Sequence, residues 1–138
     1  MAGLPRIPAR VSLLLDSHAL LWHLLDDDAL PQRVKDRLED PAERVAVSVA
    51  TQWELMLKAG SGKLRLPDAP ERFLFDVVEE AGFRVLHIQP RHAQALAELP
   101  QIHDDPFDRM LVAQALVEDM TLVSGDEVMR RYPVDTLW

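Results

Sequence analysis

Five carboxylates stand where they could do chemistry: Asp16 closing "VSLLLD", Glu54 within "WELMLK", Asp105 and Asp108 in "DDPFDR", and Asp126 in "SGD". Each also has a structural use. Asp105 reads as a helix N-cap ahead of the first-turn Pro106, and Asp108 as a favourable charge at the positive end of that helix. Asp16 and Asp126 could cap helices, and Glu54 could pair with Lys58 at i, i+4. Taken together they mean something else. Asp16, Glu54, Asp108 and Asp126 gathered in one pocket would repel one another unless protons or cations neutralised them. Magnesium or manganese suits such a site, because these hard ions prefer oxygen ligands. A metal held there could activate water for in-line attack on a phosphodiester.

Convergence depends on the elements that carry these residues. "VSLLLD" and "TLVS" are short, continuously apolar runs, each meeting a carboxylate at or just past its end, which suits buried strands. "RVAVS" and "FRVLHI" are two further strand candidates, and "VDTLW" a terminal one. Between them lie the helical segments "SHALLWHLL", "PQRVKDRLED", "VATQWELMLKAG", "PERFLFDVVEEAG", "RHAQALAEL" and "FDRMLVAQALVEDM", with a short helix at "DEVMRRY". Ser48 can cap the third of these helices and Gly60 end it. In the fourth, Phe73, Val77 and Val78 share a stripe. Alternating strands and helices predict an α/β domain with a mainly parallel sheet and helices on both faces. Ligands in such folds sit beyond the carboxyl ends of the strands. Asp16 and Asp126 both fall at that rim, and they meet if the first and fourth strands are neighbours.

The composition narrows the classes. At 138 residues, 48% hydrophobic and 28% charged, the chain is expected to form one domain with a real core over residues 11–138, preceded by a flexible arm over residues 1–10. No cysteine is present, which excludes disulfides, thiolate catalysis and cysteine-based zinc sites and is compatible with a reducing cytoplasm. The apolar run after Val11 is interrupted by Asp16, His18 and His23 and falls short of the roughly 20 residues a membrane span needs. A formal net charge of −8 opposes nucleic-acid binding through overall electrostatics, so any such binding must be local. Lys58, Lys63 and Arg65, and again Arg130 and Arg131, are the basic clusters, with solvated surface as the plainer reading.

The segments "LLLDSHALLWHL", "VSVATQWELMLKAGSGKLRLP", "LPQIHDDPFDRMLVAQAL" and "TLVSGDEVMRRY" follow in order and spacing the pattern of PIN-domain proteins. The chain is most similar to the VapC-like ribonuclease toxins of type II toxin–antitoxin pairs, over nearly its whole length. The resemblance implies a three-layer α/β/α fold with a four- to five-stranded sheet. It also implies a cytoplasmic metal-dependent endoribonuclease, using Mg2+ or Mn2+, inhibited by a VapB-like antitoxin and commonly homodimeric. The family's acidic positions fall on Asp16, Glu54, Asp108 and Asp126, with Asp105 an additional candidate ligand in the "DPFDR" pattern. Ser124 stands where threonine is commoner and keeps a hydroxyl. Ser124 and Arg109 are candidates to meet the RNA, although an arginine beside Asp105 and Glu118 can simply balance their charge.

Other signals carry less. "AGSGKLRL" lacks the first glycine and the Ser/Thr of a phosphate loop and follows a helix, so it is a helix stop. The five histidines show no ligand spacing and read as surface or core residues, with His103 near the acidic rim. Trp22 and Trp53 read as core by default and as partner contacts if exposed. Two competing functions remain open at this level. One is an aspartyl-phosphate phosphotransfer domain on Asp16, which lacks a D-x-D pair; the other is a catalytically silent PIN-like binding module.

Overall fold

Three successive leucines in the first strand are all buried, which requires protein on both sides of that strand and places it inside the sheet. A computed structural model describes residues 12–138; the expected N-terminal arm and Val11 lie outside them. Strands β1 (Ser12–Leu15), β2 (Arg44–Ser48), β3 (Arg84–Leu86), β4 (Met120–Val123) and β5 (Thr136–Leu137) form one parallel sheet in the order β3-β2-β1-β4-β5. The chain runs outward from β1 through β2 to β3, then returns to lay β4 on the other side of β1. The order therefore reverses between β1 and β4, where a crevice opens in folds of this kind. β1 and β4 pair in register, Leu13 with Thr121 and Leu15 with Val123.

Helices α1 (Ser17–Leu24), α2 (Gln32–Glu39), α3 (Val49–Gly60), α4 (Val77–Glu80), α5 (Pro90–Ala95) and α6 (Pro106–Glu118) connect the strands. Strand alternation divides the core between two layers. Leu13, Leu15, Val45, Val47 and Val123 face Leu20 of α1, Val34 and Leu38 of α2, Leu55 of α3 and Val78 of α4. Leu14, Ala46 and Leu122 face Leu111, Val112 and Ala115 of α6. Each fully buried leucine contributes on the order of 1.5–3 kcal/mol of apolar burial, which fixes α1 and α6 on opposite sides of the β1–β4 junction. The expected three layers and five strands are present. Among the described residues no helix is long and apolar enough to cross a membrane.

Some local expectations change. The segment expected as one helix over 70–82 opens into a π-helical turn at Arg72–Asp76 before α4. That wider turn rotates the stripe, so Phe73, Leu74 and Val78 are buried and Val77 is only half-buried. The Leu74 carbonyl there accepts a 2.9 Å hydrogen bond from Gln52 of α3, which supplies a reason for the insertion. "DEVMRRY" forms a 3-10 turn at Glu127–Arg131 rather than an α-helix. Gly60 is the last residue of α3, but the left-handed backbone that stops the chain belongs to Gly62, at φ 78°.

Candidate active site

Asp16 extends the pairing of β1 by one residue, since its N–H donates to the Val123 carbonyl at 3.1 Å. Its carboxylate accepts from the Ala19 N–H at 2.8 Å and so caps α1. On the neighbouring strand, Ser124 is fully buried and its hydroxyl hydrogen-bonds the Asp16 carboxylate. The same oxygen accepts from the Asp126 N–H at 3.1 Å. Asp126 is exposed and caps the following turn by accepting from the Val128 N–H at 3.0 Å. One serine thus sets the spacing of two aspartates across the β1–β4 crevice.

A second acidic group forms where α3 packs on α6. α6 leads directly into β4, so its first turn lies at the carboxyl end of the sheet. Asp105 caps it, accepting from the Phe107 and Asp108 N–H groups at 2.9 and 3.0 Å. The Asp108 carboxylate meets His103 Nε2 at 3.1 Å, and His103 Nδ1 meets the Tyr132 hydroxyl at 2.6 Å. Glu54 is buried; Lys58 Nζ donates to its Oε2 at 3.1 Å, while its Oε1 has no hydrogen-bond partner. An orphaned buried carboxylate oxygen is costly and calls for a cation or a proton.

Electrostatics reinforce this. Burial raises the Asp16 pKa; the bonds from Ser124 and Ala19 and the nearby His18 oppose the rise, and the charge of Asp126 adds to it. Burial also lifts Asp108 to about 6, against the His103 hydrogen bond and with the charges of Asp105 and Glu54 adding to the rise. Both aspartates sit where their charged form is disfavoured, and each feels other acids. The acids therefore fall into two sets, Asp16 with Asp126 and Asp108 with Asp105 and Glu54. Among the described residues, no three His, Asp or Glu side chains form a ready-made metal cage. An all-oxygen pair still fits magnesium, which retains several waters and takes one or two carboxylates directly. A cavity of about 390 Å³ opens on Asp16 and Asp126. A smaller one, about 200 Å³, lies at the opposite end of the sheet beside Arg44 and Arg84.

The PIN domain family matches residues 13–135. The chain belongs to the PIN-domain family. Ribonuclease VapC22 of Mycobacterium tuberculosis (strain ATCC 25618 / H37Rv) is 28% identical over 132 residues, covering 92% of this chain and 98% of that protein. The PIN fold is shared with VapBC2 from Rickettsia felis, solved bound to a DNA fragment from their promoter, at a TM-score of 0.70 and 14% identity over 93% of this chain and 99% of that one. VapBC-1 from nontypeable Haemophilus influenzae gives 0.65 and 15% over 92% and 97%.

Within this PIN domain, several residues do something other than their sequence context implied. Ser124 has no exposed surface with which to meet an RNA; it orients Asp16 and Asp126 instead. Arg109 is half-buried, and its guanidinium is engaged elsewhere than on Asp105 and Glu118. It donates to the Pro100 carbonyl at 2.9 Å and the Tyr132 hydroxyl at 3.2 Å, while Glu118 pairs with Arg91. Trp53 is 56% exposed rather than core and meets Phe107 edge-on at 5.0 Å. Tyr132 and Trp138 were not legible as site residues, and His103, expected near the acidic rim, had no role assigned. The signal available for His103 was its place five residues before Asp108; nothing local marks the other two.

Proposed function

We propose that this PIN domain is a metal-dependent endoribonuclease that acts in the cytoplasm as the toxin of a type II toxin–antitoxin pair, restrained by a VapB-like antitoxin and working as a homodimer. Membership of the PIN family and the relative named as a ribonuclease support the activity; the likeness in fold to VapBC proteins supports the partner. The observation that carries the reading is the desolvated Asp16, joined through Ser124 to Asp126 at adjacent strand ends of the topological switch point. Asp16 and Asp126 would hold Mg2+ or Mn2+ directly, and Asp108 and Glu54 would act directly or through water. Such an ion, when bound, supplies charge neutralisation at the phosphate and a more acidic water.

The protein's own residues do the positioning. Ser124 fixes the rotamer of Asp16, and the α1 cap holds the other side of that carboxylate. His103, itself held by Tyr132, fixes Asp108. Lys58 satisfies one oxygen of Glu54 and leaves the other buried without a partner. Arg109 ties the loop at Pro100 to Tyr132 and so keeps the start of α6 in place.

The deciding assay is cleavage of defined RNA by purified protein with Mg2+, with Mn2+ and with EDTA, beside Asp16→Asn. Asparagine caps a helix about as well as aspartate, so the fold is retained while the charge is removed. Internal cleavage should depend on metal and fall roughly 10²-fold or more in the variant, the scale of losing one preorganised charged partner. Equal cutting after chelation, or by the variant, would refute the mechanism. A second reading, a catalytically silent binding module, is favoured by the absence of a three-residue metal group among the described residues. Binding of a partner without turnover, whatever the divalent metal added, would select it, and a phosphoaspartate on Asp16 would select phosphotransfer instead.

A further inference from the structure

The cavity that opens on Asp16 and Asp126 is not walled by polar groups alone. Trp22 of α1 and Trp138 after β5 form its other side, with Gly125 at the base. His18 stacks on Trp22 with ring centroids 5.3 Å apart and 26° between planes. Trp22 in turn meets Trp138 at 5.8 Å and 47°. Three aromatic rings thus line one flank of the acidic crevice, and both indoles pack their inner edges against the apolar core. Trp138 is held in place: Arg33 Nε donates to its backbone carbonyl at 2.5 Å, and Ser124 N–H donates to the adjoining Leu137 carbonyl at 3.1 Å. A Cβ at Gly125 would overlap the indole, so glycine is what lets the ring lie against this backbone. A pre-fixed ring loses little freedom on meeting a ligand, which is how aromatic platforms gain affinity.

We propose that this aromatic-walled cavity is a subsite for one unpaired nucleobase of single-stranded RNA, placed beside the acidic pair. The inference rests on the ribonuclease reading and adds which chemistry recognises the substrate. About 390 Å³ exceeds the volume of a nucleobase. The aromatic flank offers flat, uncharged surface, with Asp16 and Asp126 beside it, so the group that enters against the rings is a flat, uncharged base while its phosphate stays by the acids and the cation they would hold. A base paired in a duplex cannot turn into such a cavity; a splayed one can, and stacking on tryptophan tolerates any base. With a net charge of −8 the protein has no overall attraction for the strand, so a local handle such as this one adds affinity that the whole-molecule charge does not supply.

The test measures kcat and KM on a short single-stranded RNA in Mn2+ for the wild type, Trp138→Leu and Trp138→Phe, with Mn2+ affinity recorded for each. Trp138→Leu should raise KM about tenfold, the size of one lost base stack, and Trp138→Phe should restore most of it. Mn2+ affinity should be the same in all three. Removing the base next to the cut should cost the wild type a similar factor and cost Trp138→Leu little more. Unchanged KM in Trp138→Leu, a parallel loss of Mn2+ affinity, or fully additive losses would each overturn the inference. A wild type that cuts no RNA overturns the ribonuclease reading instead. The subsite is then judged by fluorescence: quenching by the intact strand that falls in Trp138→Phe to the part owed to Trp22 supports it, and quenching that is absent, or undiminished in Trp138→Phe, overturns it. The same quenching measurement decides the case if Trp138→Leu does not fold.

Discussion

Replacing Asp108 by asparagine should stabilise the metal-free protein at neutral pH, although it removes a proposed ligand. Its carboxyl lies at about 6 in the folded chain, against 3.8 ordinarily, because burial and the charges of Asp105 and Glu54 outweigh the His103 hydrogen bond. A folded value above the unfolded one means that the native state binds more protons across that interval. The stability contributed by the neutral carboxyl is therefore complete below 3.8 and is lost as pH rises through about 6. The interval, at roughly 1.4 kcal/mol per pH unit, caps the penalty of ionised Asp108 at about 3 kcal/mol. Its side chain is 23% exposed, so solvent screening lowers the expected gain from Asp108→Asn to about 1–2 kcal/mol at pH 7.5. Near pH 4, where the wild-type group is already neutral in the fold, the gain should shrink to a few tenths of a kcal/mol. Urea unfolding of both proteins in EDTA at the two pH values measures this directly. Added Mn2+ should then favour the wild type, since an ion binding only the native state stabilises it. If Asp108→Asn is destabilised at pH 7.5, or gains equally at both pH values, Asp108 is an ordinary helix-start carboxylate and the electrostatic case for a cation there fails.

Two further outcomes separate structural from site roles. Asp105→Ala should cost about 1 kcal/mol through loss of the α6 cap, while Asp105→Asn should be nearly neutral and should lower the Asp108 pKa by removing a neighbouring negative charge. Urea midpoints and a carboxyl NMR titration check both, and a pKa that stays put would show the two aspartates do not interact. Gly125→Ala should displace the Trp138 indole and cost about 1–3 kcal/mol, with a change in the near-ultraviolet circular dichroism of the tryptophans. An unchanged spectrum would mean that the ring lies elsewhere in solution.

Much of the frame was legible along the chain, for local reasons. Helix α3 matches its sequence boundaries of Val49–Gly60, because a capping serine and a terminal glycine mark its ends within a few residues. Asp16 and Asp126 could be assigned to one rim because each follows a short apolar run, and parallel strands share an end. The local structural uses of all five acids also exist: Asp16, Asp105 and Asp126 cap, Asp108 sits in the first turn of α6, and Glu54 pairs with Lys58. Caps and candidate ligands are the same side chains here, so the choice first posed by "DDPFDR" was not between exclusive uses.

What the sequence by itself determined was therefore the order and type of the elements and that Asp16 and Asp126 reach the same rim of the sheet, since hydrophobic period, caps and strand ends are properties of neighbouring residues. Only the tertiary structure decided that the acids divide into two sets, that Ser124 is a buried spacer, that Tyr132 steadies His103 from 29 residues away, and that Trp138 walls the crevice of Asp16. Those arrangements depend on burial and on contacts between segments distant in the chain. Neither composition nor periodicity encodes how deeply a carboxylate is desolvated or which ring comes to rest beside it.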